Sequence, residues 1–352
     1  MLPAVPQADT SPSSVSLDGE FVLACLELVD ELVRMYPLDV LLGNDVPELL
    51  MQIAGHPNSG VARRALAALA SLTKRATPFI YDDSIRRVLI VMESSSERNC
   101  FPAFVATMQR LFAAFSATGN DESFAAFLAA VELAVAAGRV VMEYAAAVSG
   151  YDIPASFGAL VQVMCELFRV PCFDVFVLVQ EFFGGLARLV LGSEHRLSKY
   201  FPQETVLAIY AEMCNKWRER ETVRSHADID VITNDREFVD VLVRLAPDLL
   251  FERSVHDVFQ ILRTVSLHSA GTSTVRNSAE VAFFEATLAA LRSRSAISPE
   301  HAKLLLEFTD LLCAYDPALR DISAFVEIAL SLVPAAEKFV QQKLPDVFLF
   351  VC

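Results

Sequence analysis

The side chains that could do chemistry are few and widely spaced. The histidines are His56, His195, His226, His256, His268 and His301. His256 and His268 share one expected helix but lack the i, i+4 spacing that converges on a metal. His56 stands before Pro57 and reads as a structural turn residue. The cysteines, Cys25, Cys100, Cys165, Cys172, Cys214, Cys313 and Cys352, are scattered and odd in number. Most lie in apolar helical runs, where a thiol behaves as a small core group. Cys165 and Cys172 straddle Val170-Pro171 with no histidine nearby, which favours packing over metal binding. No GxGxxG, GxxxxGK[ST], HExxH or GxSxG motif is present. These residues support no catalytic constellation, metal or cofactor, and the chain reads as a non-enzyme.

Charge offers more. The single tryptophan opens the most charged stretch, Trp217-Arg218-Glu219-Arg220-Glu221, which leads to Arg224, Asp228, Asp230, Asp235, Arg236 and Glu237. It reads either as a solvated loop between helices or as a flexible charged loop that touches a partner. Arg63-Arg64 and Lys74-Arg75 follow Pro57 on one helix and read as a solvent face rather than a phosphate clamp. Phe182-Phe183-Gly184-Gly185 is an apolar helix with an interior glycine pair, the composition of close helix packing or a kink. Nothing sets that pair at a helix N-terminus, where phosphate binds.

The elements that must position these residues are helical. Leu17, Phe21, Cys25, Leu28, Leu32 and Met35 recur at spacings of three and four, an amphipathic stripe that Pro37 ends. Leu49, Leu50 and Ile53 precede the turn Gly55-His56-Pro57-Asn58, and Val61, Leu66, Leu69 and Leu72 follow it. The same unit of helix, proline turn and helix recurs around Pro171 and Pro317. The separations of these prolines, 114 and 146 residues, divide into three units of 38 and four of 36.5, near the roughly 40–47 of HEAT and armadillo repeats. Further helices are predicted near 82–93, 99–118, 120–137, 139–149, 202–220, 234–246, 252–268, 275–293 and 334–343. Only 347–351 is strand-like. The fold expected is all-α, a right-handed α-solenoid of HEAT-like helix pairs. Residues 1–16, rich in Pro and Ser and without Lys or Arg, read as a disordered tail. Residues 17–352 read as one continuous array of about eight helix pairs.

Composition agrees. Of 352 residues 54% are hydrophobic and 21% charged, too apolar for disorder. Twelve glycines disfavour a turn-rich β fold. Every window long enough to span a membrane carries charges or a proline, so no membrane insertion is expected. Stacking helices against one another buries the apolar stripes without a bilayer. The cysteine pattern suits a reducing cytosolic or nuclear compartment. A net charge of −15 opposes a surface that grips phosphates throughout and favours basic protein partners, while leaving room for a local basic patch for RNA.

The order of units resembles the karyopherin-β family of importins and exportins. The points of resemblance are Val46 to Pro57 with the helix 61–72, the unit at 156–190, and Phe238 to Leu250 followed by Ser278 to Leu291. The last stretch is similar to the centre of the tRNA exportin, the pre-microRNA exportin and the SR-protein transportin, where an acidic loop precedes such helices. The resemblance spans residues 20–330. Family members are much longer, and their Ran-binding N-terminal repeats are not recognisable. It implies a transport receptor, more exportin- than importin-like, found in nucleus and cytoplasm. Its partners would be Ran GTPase, Phe-Gly nucleoporins and a protein or RNA cargo. The residues expected to meet partners are Trp217, Arg218, Arg220, Asp228, Asp230, Asp235, Arg63 and Arg64. The alternative is a general HEAT-repeat scaffold or adaptor for a multiprotein complex.

Overall fold

The computed structural model describes residues 12–43, 45–76, 101–147, 153, 155–192, 195–222, 229–265, 279–292, 298, 300, 301, 303, 304 and 307. Among them every regular element is helical. In chain order these are α1 (Pro12–Met35), α2 (Leu38–Gly43), α3 (Val46–Ala54), α4 (Ser59–Ala76), α5 (Phe101–Thr118), α6 (Asp121–Ala147), α7 (Ala155–Phe168) and α8 (Phe173–Gly192). A 3-10 turn over His195–Tyr200 leads to α9 (Gln203–Thr222), α10 (Ile229–Leu245), α11 (Pro247–Val265) and α12 (Ala279–Arg292). The expected helices near 82–93 and 334–343, the strand-like 347–351 and the Pro317 unit beyond residue 307 lie outside the described residues.

The helix ends follow from local chemistry. Asn58 caps α4: its side-chain oxygen accepts from the backbone N–H of Gly60 at 2.8 Å and of Val61 at 3.1 Å. Asn58 N–H in turn donates to His56 Nδ1 at 3.1 Å, so His56 is a turn residue as expected. Asn120 caps α6 by accepting from Ser123 N–H at 2.7 Å. Gly119, at φ 60°, lets the chain leave α5 in the left-handed conformation that a side chain disfavours. Arg75 donates to the Tyr36 carbonyl at the end of α1, and Arg110 to the Ala54 carbonyl at the end of α3. These long-range bonds satisfy carbonyls that a helix leaves orphaned.

Contacts divide the chain into two units, Met1–Leu189 and Val190–Cys352. In the first, α3 and α4 form a hairpin across the His56-Pro57 turn, and α5 and α6 form the next. The first helices of the two hairpins touch each other (α3 on α5), and so do the second helices (α4 on α6). α1 packs along α4, where Val33, Leu41, Leu42 and Leu72 make a small core. In the second unit α12 packs on α9, α10 and α11.

Three sequence expectations change. The two helices expected at 120–137 and 139–149 are, over the described residues, one helix, α6, with Gly138 inside a buried apolar face. The helix at the N-terminus begins at Pro12, a residue suited to a first turn. The stripe Phe21, Cys25, Leu28 and Met35 points outward, while Leu26 and Val33 on the flank of the same helix are buried. α6 and α8 are long and apolar enough to cross a membrane by length and composition, with 72% and 56% of their apolar windows buried inside the chain.

Of the expected pair Gly184-Gly185, Gly185 has no close neighbour, whereas Gly138 has one. A methyl group there would lie 2.4 Å from the Phe182 ring, whereas at Gly185 the nearest atom, Met142 Cε, is 3.8 Å away. Gly138→Ala is therefore expected to lower stability by about 1–3 kcal/mol through overpacking. Gly185→Ala is expected to raise it by about 0.5–1 kcal/mol through helix propensity. Urea unfolding followed by far-UV circular dichroism reads the opposite signs.

Candidate functional site

The second unit holds a polar seam between four helices. α9 sets Tyr210, Cys214 and Arg218 at i, i+4 and i+8, with Trp217 beside them, so they lie along one face. Tyr210 OH donates to Asp257 Oδ2 on α11 at 2.9 Å, and Arg253 Nε donates to the same oxygen at 3.0 Å. Trp217 Nε1 donates to Asp235 Oδ2 on α10 at 2.8 Å. The Arg218 guanidinium pairs with Glu280 of α12 and also donates to Asn215 Oδ1 at 3.1 Å. The Tyr210 ring meets Phe283 edge-on at 4.8 Å between centroids. Tyr210, Trp217 and Arg218 thus tie α9 to α11, α10 and α12 in turn.

Burial sets the electrostatics. The Glu280 side chain is 1% exposed, and its second oxygen has no hydrogen-bond partner. Arg218 is 61% exposed, so the pair joins a buried anion to a cation at the rim. Burial alone would lower the Arg218 guanidinium, but the hydrogen bond and charge of Glu280 outweigh it and leave it raised and positive. Burial pushes the Cys214 thiol far up, helped by Glu280, and Cys214 is held as a neutral thiol. Burial first, then the charges of Cys214 and Asp257, push the Tyr210 hydroxyl well above its usual range, so it stays a donor.

This has a pH consequence. Above about pH 10 the unfolded chain loses the Tyr210 proton while the folded chain keeps it. The stabilisation is complete below that pH and falls as pH rises through it, by up to about 1.4 kcal/mol per pH unit. Tyr210→Phe is expected to cost about 1 kcal/mol near neutrality and to flatten this alkaline fall. Urea midpoints read through Trp217 fluorescence between about pH 9 and about pH 11 measure both effects.

The expected partner-contact residues separate on this frame. Trp217, Arg218 and Arg220 stand on α9, and Asp230 and Asp235 on α10. Where described, the stretch is helical, with α9 ending at Thr222 close to the expected 220, and the Trp217 indole and the Arg218 guanidinium bond to carboxylates of other helices. Asp228 lies outside the described residues. Arg63 and Arg64 are on α4, in the other unit. With Ala67, Ala125, Leu128, Ala129 and Glu132 they line an open groove of about 370 Å³ between α4 and α6. Arg63 is exposed, and Arg64 pairs with Glu27 of α1 at 2.7 Å.

Tyr210, Cys214, Asp257 and Glu280 were not singled out by sequence. The 210, 214, 218 spacing was a usable signal, as was Glu280 standing among Ala279, Val281, Ala282 and Phe283. Among the described residues, no group of three or more His, Cys, Asp or Glu is placed to hold a metal ion. In comparison with known proteins, the chain matches no protein-family model and no curated protein.

Proposed function

We propose that this chain is a nucleocytoplasmic transport receptor of the importin/exportin type, more exportin-like, that works by binding and without a catalytic step. On this reading its helices form a right-handed solenoid of HEAT-like pairs. Ran in its GTP state, Phe-Gly nucleoporins and a protein or RNA cargo are its partners, in nucleus and cytoplasm. The observation that carries the reading is the layered hairpin arrangement, with α3 on α5 and α4 on α6 about the His56-Pro57 turn. A hairpin that cannot bury its apolar face alone must stack on the next, and stacking leaves long surfaces for partners. The net charge of −15 supports it by favouring basic cargo. The polar seam contributes by holding α9 to α12 in fixed order, with the Arg218 head at the rim.

Affinity capture from a cell extract, with and without GTP-locked Ran, tests the reading. The expected result is a set of captured proteins that changes with GTP-locked Ran, together with retention on immobilised Phe-Gly repeats. Capture of the same proteins in both conditions, with no Phe-Gly retention, would favour a scaffold for a multiprotein complex.

A further inference from the structure

A buried histidine faces two carboxylates where the last described residues pack on α11. His301 is 4% exposed, in a helical turn that Ser298 opens by accepting from the His301 backbone N–H at 3.2 Å. Its ring stands edge-on to Phe251 of α11, at 5.0 Å between centroids. Its Nε2 lies 3.4 Å from Glu252 Oε1 and its Nδ1 3.7 Å from Asp248 Oδ1, both on α11. Nδ1 is buried and has no hydrogen-bond partner. Among the described residues, these are the only carboxylates within ion-pair distance of His301. On its own segment Lys303 pairs with Glu307 at 3.7 Å, and Glu300 is exposed. His256, the other histidine of α11, is exposed as well.

The ring thus faces an acceptor at each nitrogen. A neutral imidazole carries one N–H and turns the lone pair of its other nitrogen toward a carboxylate oxygen, whereas the imidazolium carries an N–H at both. Burial penalises an unpaired charge, but this one is paired at both nitrogens, and the neutral ring leaves a buried nitrogen unmatched. The start of its own helix does not favour a cation, so the partners of the second proton come from α11 alone. We propose that His301 is a pH-operated clasp, which holds its helical turn on α11 when protonated and loosens it when neutral. Histidine changes charge between about pH 5 and about pH 8, above the range in which ordinary carboxyl groups titrate. The docked turn has partners for the second proton and the undocked turn has none. Docking is therefore firm at the low end of that window and weakens as pH rises through it. Loosening bares the edge of Phe251, which is 0% exposed when the turn is docked. The inference makes no use of Ran, so it stands or falls apart from the transport reading.

Hydrogen exchange of the intact chain, read by mass spectrometry at about pH 5.5 and about pH 8, tests the clasp. Exchange of the peptide that carries Ser298 and His301 is taken relative to that of α9 in the same sample, which removes the intrinsic pH dependence of exchange. This relative exchange is expected to rise several-fold from the lower pH to the higher. In His301→Gln, whose side chain does not titrate, the rise is expected to vanish. Glu252→Gln, at a side chain 55% exposed, leaves Asp248 in place and is expected to shrink the rise while keeping the circular dichroism of the parent. No rise in the parent, or a fall, would overturn the proposal. So would a rise of full size in either variant. Where His301→Gln exchanges fully at both pH values, the turn has come undone, and the size of the rise in Glu252→Gln decides.

Discussion

Phe182→Ala is expected to lower the stability of the first unit by about 3–5 kcal/mol. Phe182 is 1% exposed, and its ring lies 6.3 Å from that of Phe157 and 5.3 Å from that of Phe183. Leu160 and the bare backbone of Gly138 complete the surroundings. Close-packed neighbours relax only in part, so removing the ring loses both its transfer free energy and the contacts around the void. Gly138 sharpens the test, because the ring and an added methyl would compete for the same space. Gly138→Ala destabilises when Phe182 is present, but in the Phe182→Ala chain the methyl fills part of the cavity and stabilises. The double-mutant cycle is therefore expected to show a coupling of about 1–3 kcal/mol. Additive effects in urea unfolding would mean that Gly138 and Phe182 do not touch.

The second large effect lies in the polar seam. Arg218→Ala is expected to lower the stability of the second unit by about 2 kcal/mol. Breaking a fully buried pair costs about 3–5 kcal/mol, and exposure of the guanidinium reduces this. The loss arises from what remains, a Glu280 carboxylate on α12 buried beside α9 with no compensating cation. Glu280→Leu in the Arg218→Ala chain is accordingly expected to recover most of the loss, since an apolar side chain of similar size needs no partner there. Glu280→Leu alone should cost less than Arg218→Ala alone, because the freed Arg218 is already largely hydrated. Trp217 fluorescence, which arises within the seam, follows the unfolding. A double variant as unstable as Arg218→Ala would show that the buried carboxylate is not the source of the cost.

Helix class was legible in the sequence because it depends on local periodicity. The stripes at three and four residues and the His56-Pro57-Asn58 turn predict α3 and α4 from short-range rules alone. Which side of a stripe faces inward was not legible. α1 is apolar around more than half its circumference, so the regular line through Phe21, Leu28 and Met35 looked like the core face, yet α4 packs on Leu26 and Val33 instead. The charged stretch holds links that spacing does not show: Trp217 and Arg218 find carboxylates 18 and 62 residues away. Such partners depend on how α9, α10 and α12 meet, and sequence spacing does not show this. The close approach of Gly138 to the Phe182 ring has no such local signal either, because the two stand 44 residues apart on α6 and α8.

Direct titration of the purified chain with Ran, loaded with non-hydrolysable GTP in one arm and GDP in the other, tests the transport reading most directly. Binding that saturates with the GTP form and is much weaker with the GDP form is the result expected. Equal binding of the two forms, or none to either, would contradict it.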